Sequence, residues 1–303
     1  MRHELDAREY KLLLNPQRFL EAPPDTVAEI FWDEHLKPLI RRLGLRNGNE
    51  PRHAGRFDKR TERIVRYWDT PDCFLTRADL ALRERLPAED EARPGARSKI
   101  TLKLRMPDLF VVASTDLPGT GGKVDTTFEE DIAPLEVDDP KPTQRGVVVP
   151  EKRSIRSRFA RSTTLKKVEW TTSSQTLAGL KLLFPTVLDI AAGSDARPAT
   201  ETALISGPKI RELVLEGPSV RFSADIVGEF ALTLWYFGSD HVPSTVVEIS
   251  FKCATVGGDM PGKAARRAFD LFVAMQELDA WVNTEHSSKT SLALPKGCGR
   301  PVE

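Results

Sequence analysis

The run Lys99-Ile100-Thr101-Leu102-Lys103-Leu104-Arg105-Met106 alternates without a break, with Lys, Thr, Lys and Arg on the odd positions and Ile, Leu, Leu and Met on the even ones. A strand turns successive side chains to opposite faces, so this run predicts a strand with one apolar face and one face whose only ionised groups are cations. Leu80-Ala81-Leu82-Arg83-Glu84-Arg85-Leu86 repeats the pattern upstream, with Arg83 and Arg85 sharing a face and Leu80, Leu82 and Leu86 the other. If neighbouring strands bring these basic faces together, the like charges repel unless an anion sits between them. The ordinary reading competes: antiparallel sheets commonly carry a charged face that is simply solvated.

Outward from these runs, Val246 to Lys252 sets Glu248, Ser250 and Lys252 opposite Val247, Ile249 and Phe251. Further strands are expected at Ala7 to Leu14, Glu62 to Trp68, Thr126 to Ile132, Lys166 to Thr172, Arg211 to Glu216 and Phe230 to Phe237. Together they suffice for a barrel. Two segments carry the three- and four-residue spacing of helices instead: Thr26 to Leu43, with Asp25 as its N-cap, and Ala265 to Leu278, preceded by Asp259 and Pro261. Apolar stripes of this kind predict helices packed on the outside of the sheet, giving an α+β chain. Pro87 to Arg97, Ala133 to Pro150 and Gly193 to Pro208 are rich in turn residues, but none reads as an interdomain linker. A single domain over residues 1–303 is expected, with an enlarged 140–245 region.

Forty-four basic and forty-four acidic side chains cancel, so net charge points to neither nucleic acid nor an anionic membrane as partner. Polyanion binding would have to come from local sorting of charge. The N-terminus is charged from its second residue and shows no signal-peptide pattern. Cys73, Cys253 and Cys298 lie far apart without paired or metal-knuckle spacing, which reads as reduced thiols of a soluble cytoplasmic protein.

Carboxylates are available to face the basic strips. Glu9 and Glu248 lie on strand candidates at opposite ends of the chain, and Glu129 and Asp131 share one face of a third. Hard oxygen donors suit Mg²⁺ or Mn²⁺, held by a few carboxylates together with phosphate oxygens. Basic side chains facing such carboxylates are what a phosphate chain with its cation needs. Against this, Glu129, Glu130 and Asp131 also read as a solvated acidic strand end.

The order of these segments resembles the CYTH, or triphosphate tunnel, family, which includes class-four adenylate cyclases and thiamine triphosphatases. Ala7-Arg8-Glu9-Tyr10-Lys11 is similar to its N-terminal Glu-x-Glu-x-Lys signature with Ala7 in place of the first Glu. Tyr67-Trp68-Asp69-Thr70-Pro71 followed by Arg83-Glu84-Arg85 resembles the aromatic-Asp-Thr-Pro strand and the Arg-x-Arg strand after it. Thr101-Leu102-Lys103, Phe128 to Asp131, Val247 to Ser250 and Ser288-Lys289-Thr290 resemble the later strands and the Ser-Lys near the end, with Ser250 in place of a second Glu. Arg156-Ser157-Arg158 would supply the later basic strand, as would Arg211 or Arg221.

The resemblance implies a closed eight-stranded antiparallel tunnel with helices outside. In it Lys11, Arg83, Arg85, Lys103 and Lys289, joined by Arg105, Arg156 and Arg158, would contact substrate phosphates, and Glu9, Glu129, Asp131 and Glu248 would hold Mg²⁺ or Mn²⁺. The implied activity is hydrolysis of inorganic triphosphate or an organic triphosphate. A non-catalytic polyphosphate-binding module and cyclisation of ATP are the alternatives. Ala7 and Ser250 leave fewer ligands for a second metal. Other chemistries find no support: the five histidines lack metal spacing, the phosphate-loop and Gly-x-Ser-x-Gly motifs are missing, and Pro118 to Gly122 leads into a strand, not a helix.

Overall fold

The computed structural model describes residues 4–20, 22–44, 46–47, 50–93, 95–137, 146–147, 155–192, 198–238, 246–283 and 289–299. Eleven strands hydrogen-bond into one sheet; two of them, His53–Ala54 and Ile205–Ser206, are two-residue edges, which leaves nine long strands. These are β1 (Ala7–Leu14), β2 (Lys59–Asp69), β3 (Leu80–Pro87), β4 (Ser98–Met106), β5 (Lys123–Pro134), β6 (Ile155–Val168), β7 (Ile210–Arg221), β8 (Val227–Phe237) and β9 (Val246–Ala254). They follow the order β2-β3-β4-β6-β5-β1-β9-β8-β7, and pairing of β7 with β2 closes the ring.

The closed barrel with helices outside is therefore as expected, but its count is nine and one pair, β1 with β5, is parallel. The two departures are one fact. Strands that alternate in direction around a ring return in phase only if their number is even, so an odd ring forces one parallel neighbour. Here the first strand of the chain supplies it, inserted between β5 and β9.

Pairing partners across a ladder point the same way, so the register defines the inner face. Glu9 lies opposite Lys252 and beside Asp131, Arg83 opposite Thr101, and Arg63 opposite Glu212. The apolar positions point outward and are covered by two helical layers. Tyr10, Leu12, Ile249, Phe251 and Leu232 pack beneath the long C-terminal helix and the N-terminal helical run, with Tyr10 stacked on Phe251 at 4.6 Å. Leu80, Leu82, Ile100, Leu102 and Leu165 pack on the other side against Val112, Leu177 and Phe184. Burying an aliphatic or aromatic side chain contributes about 1.5–3 kcal/mol, so these two outer layers, not the charged interior, hold the barrel together.

The N-terminal helical run consists of α1 (Pro24–Ile30), a π-helical stretch Phe31–Leu36 and α2 (Lys37–Arg42). Asp25 is not its N-cap: Pro23 holds that position and Asp25 falls in the first turn, where a carboxylate favours the helix dipole. Short helices α3 (Phe74–Arg77), α4 (Leu109–Ser114), α5 (Leu177–Leu183) and α6 (Val187–Ala192) follow, and α7 (Gly262–Gln276) and α8 (Thr290–Ala293) complete the chain. No helix among the described residues is long and apolar enough to cross a membrane.

Two expectations need correction. The strand expected at Lys166 to Thr172 lies upstream, at Ile155–Val168, and ends in a bulge where Lys167 adopts a left-handed φ of 62°. Its outer face defeats the period-two test because polar residues interrupt Ile155, Phe159 and Leu165: Arg161 donates to the carbonyls of Val112 and Ala113, and Thr163 donates to the carbonyl of Leu117. The reading of reduced thiols also fails for Cys73 and Cys298, which form a disulfide across 225 residues with Cα atoms 5.1 Å apart; Cys253 is free and buried. With that bond the cysteine-based ground for a cytoplasmic protein falls away.

The disulfide ties the chain's C-terminal end to a rigid turn. Asp69 is fully buried and accepts from the backbone N–H groups of Thr70, Leu75 and Thr76 and from the Thr76 hydroxyl, all within 2.9 Å, which fixes the loop that carries Cys73. Gly207 lets the tail approach: a Cβ there would meet the Ala293 carbonyl oxygen at 2.1 Å. Ala293, so seated, packs with Leu13, Val65, Tyr67, Ile210 and Trp235, and one end of the tunnel interior becomes apolar.

Candidate functional site

All twelve side chains singled out in the sequence stand on inward positions of the ring or, for Lys289, reach them from the tail. They divide into two groups of different electrostatic character.

The first spans β4, β5, β1 and β9. Carboxylate oxygens of Glu9, Glu129 and Asp131 come within 4.8 Å of one another. Lys11 sits between two of them, its Nζ donating to Asp131 at 2.8 Å and 2.9 Å from Glu9. Lys103 reaches Asp131 at 2.9 Å and Arg105 at 3.5 Å, and Lys252 reaches Glu129 at 2.5 Å. The consequences for ionisation are strong. Burial would raise the Asp131 pKa, but Lys103, Lys11 and Arg105 outweigh it and hold the carboxyl well below its usual range. Burial opposes charge on Lys11 too, and Asp131, Glu9 and Glu248 reverse that, holding its ammonium above the usual range. Lys103 goes the other way: burial dominates and lowers it. Glu248 lies outside the group of three; its Oε1 accepts from Lys289 at 2.8 Å, and Lys289 also sits 4.8 Å over the Trp235 ring.

The second group spans β2, β3, β4 and β7. Arg63 and Arg85 each place Nε 3.4 Å from the same Glu212 oxygen, and Trp235 donates its ring N–H to the other at 2.9 Å. Arg83 and Lys99 have no carboxylate partner among the described residues. Among the described residues the Nε groups of Arg63, Arg83 and Arg85 are buried without a hydrogen-bond acceptor of good geometry, and Glu212 Oε1 is buried without a donor of good geometry. Burial and then the charge of Arg83 push Arg85 down to about 10. Burial, Arg85 and Arg83 likewise lower Lys99. Glu212 is driven to about 2, because Arg85, Lys289, Arg63 and Arg83 together overcome the cost of burying its charge.

Arg156 and Arg158 face inward through their pairing with Ala133 and Asp131, while Arg211 points outward and binds Glu62 at 2.6 Å and Arg221 is exposed and donates to the Ala224 carbonyl. Arg63 and Glu212 are site residues that the sequence did not disclose. Neither stands in a run of like charge; both became visible only when closure of the ring set β2 beside β7.

The donor set of the first group fits a divalent ion: three oxygen-bearing side chains converge, and hard oxygens are what Mg²⁺ or Mn²⁺ prefers. The second group has the donors for a multiply charged anion. Fold and site together define a closed β-tunnel lined by ionised side chains. No protein-family model and no curated protein sequence matches the chain. Among solved structures it is similar to HpAC1 from Hippeastrum, described as a candidate adenylyl cyclase that reveals a dominant triphosphatase activity, at 11% identity and TM-score 0.43 over 94% of this chain and 93% of that one. A candidate adenylate cyclase from Bacillus halodurans gives 14% identity and TM-score 0.35 over 95% of each chain. The PH1819 protein from Pyrococcus horikoshii gives 10% and 0.31 over 92% of this chain and 93% of that one. Likenesses of this size leave the assignment to the chain's own geometry.

Proposed function

We propose that the tunnel binds the phosphate chain of inorganic triphosphate or an organic triphosphate and hydrolyses it with the help of Mg²⁺ or Mn²⁺. The observation that carries this reading is the second group: three inward guanidinium groups share one carboxylate, with Arg63 and Arg85 ion-paired to Glu212 at 3.4 Å and Arg83 without a carboxylate partner among the described residues. A buried cation without a partner is costly, and an anion with many oxygens removes that cost. Guanidinium groups suit it because their planar donors match phosphate geometry. Lys103, Arg105, Arg156, Arg158 and Lys289 add positive charge along the same inner face, as does Lys11 between Glu9 and Asp131.

Glu9, Glu129 and Asp131 would hold the divalent ion, which when bound would offset charge on the phosphate oxygens. The chain's own contribution is positioning and charge neutralisation. No side-chain nucleophile is required, since water is the acceptor in hydrolysis.

Phosphate release from inorganic triphosphate, with and without Mg²⁺ or Mn²⁺, tests the reading. Metal-dependent turnover is expected, abolished by Glu9→Gln and by Arg85→Met. Absence of turnover in protein that still binds triphosphate would favour the second reading, a binding module. That reading is supported by the cations that already surround Asp131 and by Ala7 and Ser250, which offer no carboxylate. Pyrophosphate released from ATP together with a cyclic nucleotide would instead identify a cyclase.

A further inference from the structure

The three clustered carboxylates are already neutralised by this chain's own cations, and one of those cations is placed differently from the rest. Lys11, Lys103 and Arg105 converge on Asp131, and their side chains are 19%, 22% and 25% exposed. Lys252 serves Glu129, and its side chain is 45% exposed. It does not pair with Glu9, which lies directly opposite it in the ladder. Its side chain instead runs diagonally across β1 to the strand beyond.

Ala7 makes that diagonal available. In the parallel register Ala7 is the residue beside Glu129, and in the antiparallel register its partner is Ala254. A methyl group therefore stands where a longer side chain would compete for Glu129. Ala7 brings no charge to this corner and Lys252 brings one positive charge, at the place where a divalent ion would approach. Across the tunnel the cations outnumber their carboxylates: Arg63 and Arg85 share Glu212, and Arg83 Nε is buried without an acceptor among the described residues, which suits an anionic ligand in the same interior.

We propose that Lys252 is a built-in competitor for the divalent cation: its ammonium occupies the cation position at Glu129 in the free protein, and a bound phosphate chain draws it away and so admits the metal. Lys252 is thus a positioning residue that couples metal uptake to substrate uptake. The inference rests on the reading of Glu9, Glu129 and Asp131 as the metal site. Its chemistry is exchange of one cation for another at a carboxylate, with the phosphate oxygens as the new partner for the lysine.

The test is Mn²⁺ binding by calorimetry and by the electron paramagnetic resonance signal of free Mn²⁺, on the full chain with its disulfide intact. Wild type, Lys252→Met, Lys252→Arg and Glu129→Gln are compared, each alone and saturated with inorganic tripolyphosphate after correction for Mn²⁺ held by tripolyphosphate itself. Without tripolyphosphate, Lys252→Met should bind Mn²⁺ at least tenfold more tightly than wild type, while Lys252→Arg stays within a few-fold of it. With tripolyphosphate bound, the gap between wild type and Lys252→Met should close. Equal affinity of wild type and Lys252→Met in the absence of tripolyphosphate overturns the proposal, and if Glu129→Gln still weakens Mn²⁺ binding in that case, the metal site itself stands. If none of the proteins binds Mn²⁺ under either condition, the metal site falls and the proposal with it. Circular dichroism and thermal melting show that each variant is folded; because Lys252 is nearly half exposed, loss of the fold is not expected.

Discussion

The two sides of the tunnel solve the same problem in opposite ways. Around Glu9, Glu129 and Asp131 every carboxylate has an ammonium within 2.9 Å, so burial of charge is balanced by the chain itself. Around Arg63, Arg83 and Arg85 one carboxylate, Glu212, faces several cations, and among the described residues the Nε groups of all three lack a well-formed hydrogen bond. A charged barrel interior is thus not uniform: one side balances its carboxylates with its own cations, and the other carries more cations than its one carboxylate offsets. The depression of Arg85 to about 10 expresses that difference, since burial and the neighbouring Arg83 disfavour its charge more than Glu212 favours it.

The largest expected effect comes from removing the one carboxylate on the deficient side. Glu212→Gln leaves Arg63 and Arg85 buried without a counter-charge, and should cost about 3–5 kcal/mol of stability in urea denaturation. Tripolyphosphate should restore much of that loss; if the variant is as stable as wild type without any anion, the contrast between the two sides is wrong.

Next is the tail that supplies Lys289, the cation that pairs with Glu248 and also lowers Glu212. Cys298→Ser, or reduction of the disulfide, should cost about 2–4 kcal/mol, because the bond closes a very long loop in the unfolded chain. Thermal melting with and without reductant measures it, and an unchanged midpoint would show that the docking of Ala293 alone seats the tail.

The third test uses pH. Glu212 ordinarily titrates near 4.5 and in the fold near 2, so the folded form binds its proton less readily than the unfolded one. Its contribution is therefore fully present above about pH 4.5 and is lost as pH falls toward 2. A shift of that size corresponds to about 3 kcal/mol. Comparing the acid limb of wild type with that of Glu212→Gln isolates it from Asp131, which moves in the same direction.

The smallest effect should be the most specific. Arg83 has no carboxylate partner among the described residues, so Arg83→Met should leave the free protein at least as stable as wild type. It should weaken tripolyphosphate binding by about 1.5–3 kcal/mol, the usual worth of a hydrogen bond to a charged group, as read by calorimetry. A loss of stability without a loss of affinity would assign Arg83 to the scaffold.

Much of the ring was legible in the chain. The runs around Arg83, Lys103 and Glu248 alternate cleanly because their outer faces are apolar and packed under helices. The strand Ile155–Val168 was misplaced because its outer face is satisfied by hydrogen bonds to α4 and the loop after it, and polar groups paired in that way leave no period-two signal. The motif from Tyr67 to Pro71 was legible as a landmark but not for its role. Asp69 is fully buried and caps its own loop, where it holds Cys73 in place for a partner 225 residues away.

The sequence alone determined which residues share a face, because the pleat of a strand sorts side chains by parity and needs no information from elsewhere in the chain. Only the tertiary structure decided which face is inside, that nine strands close with one parallel pair, and that Glu212 meets Arg63 and Arg85 while Lys252 meets Glu129. Those outcomes depend on register between strands far apart in sequence. Register is a property of the closed ring as a whole, set by packing on its outside and charge pairing within, and no local stretch of residues contains it.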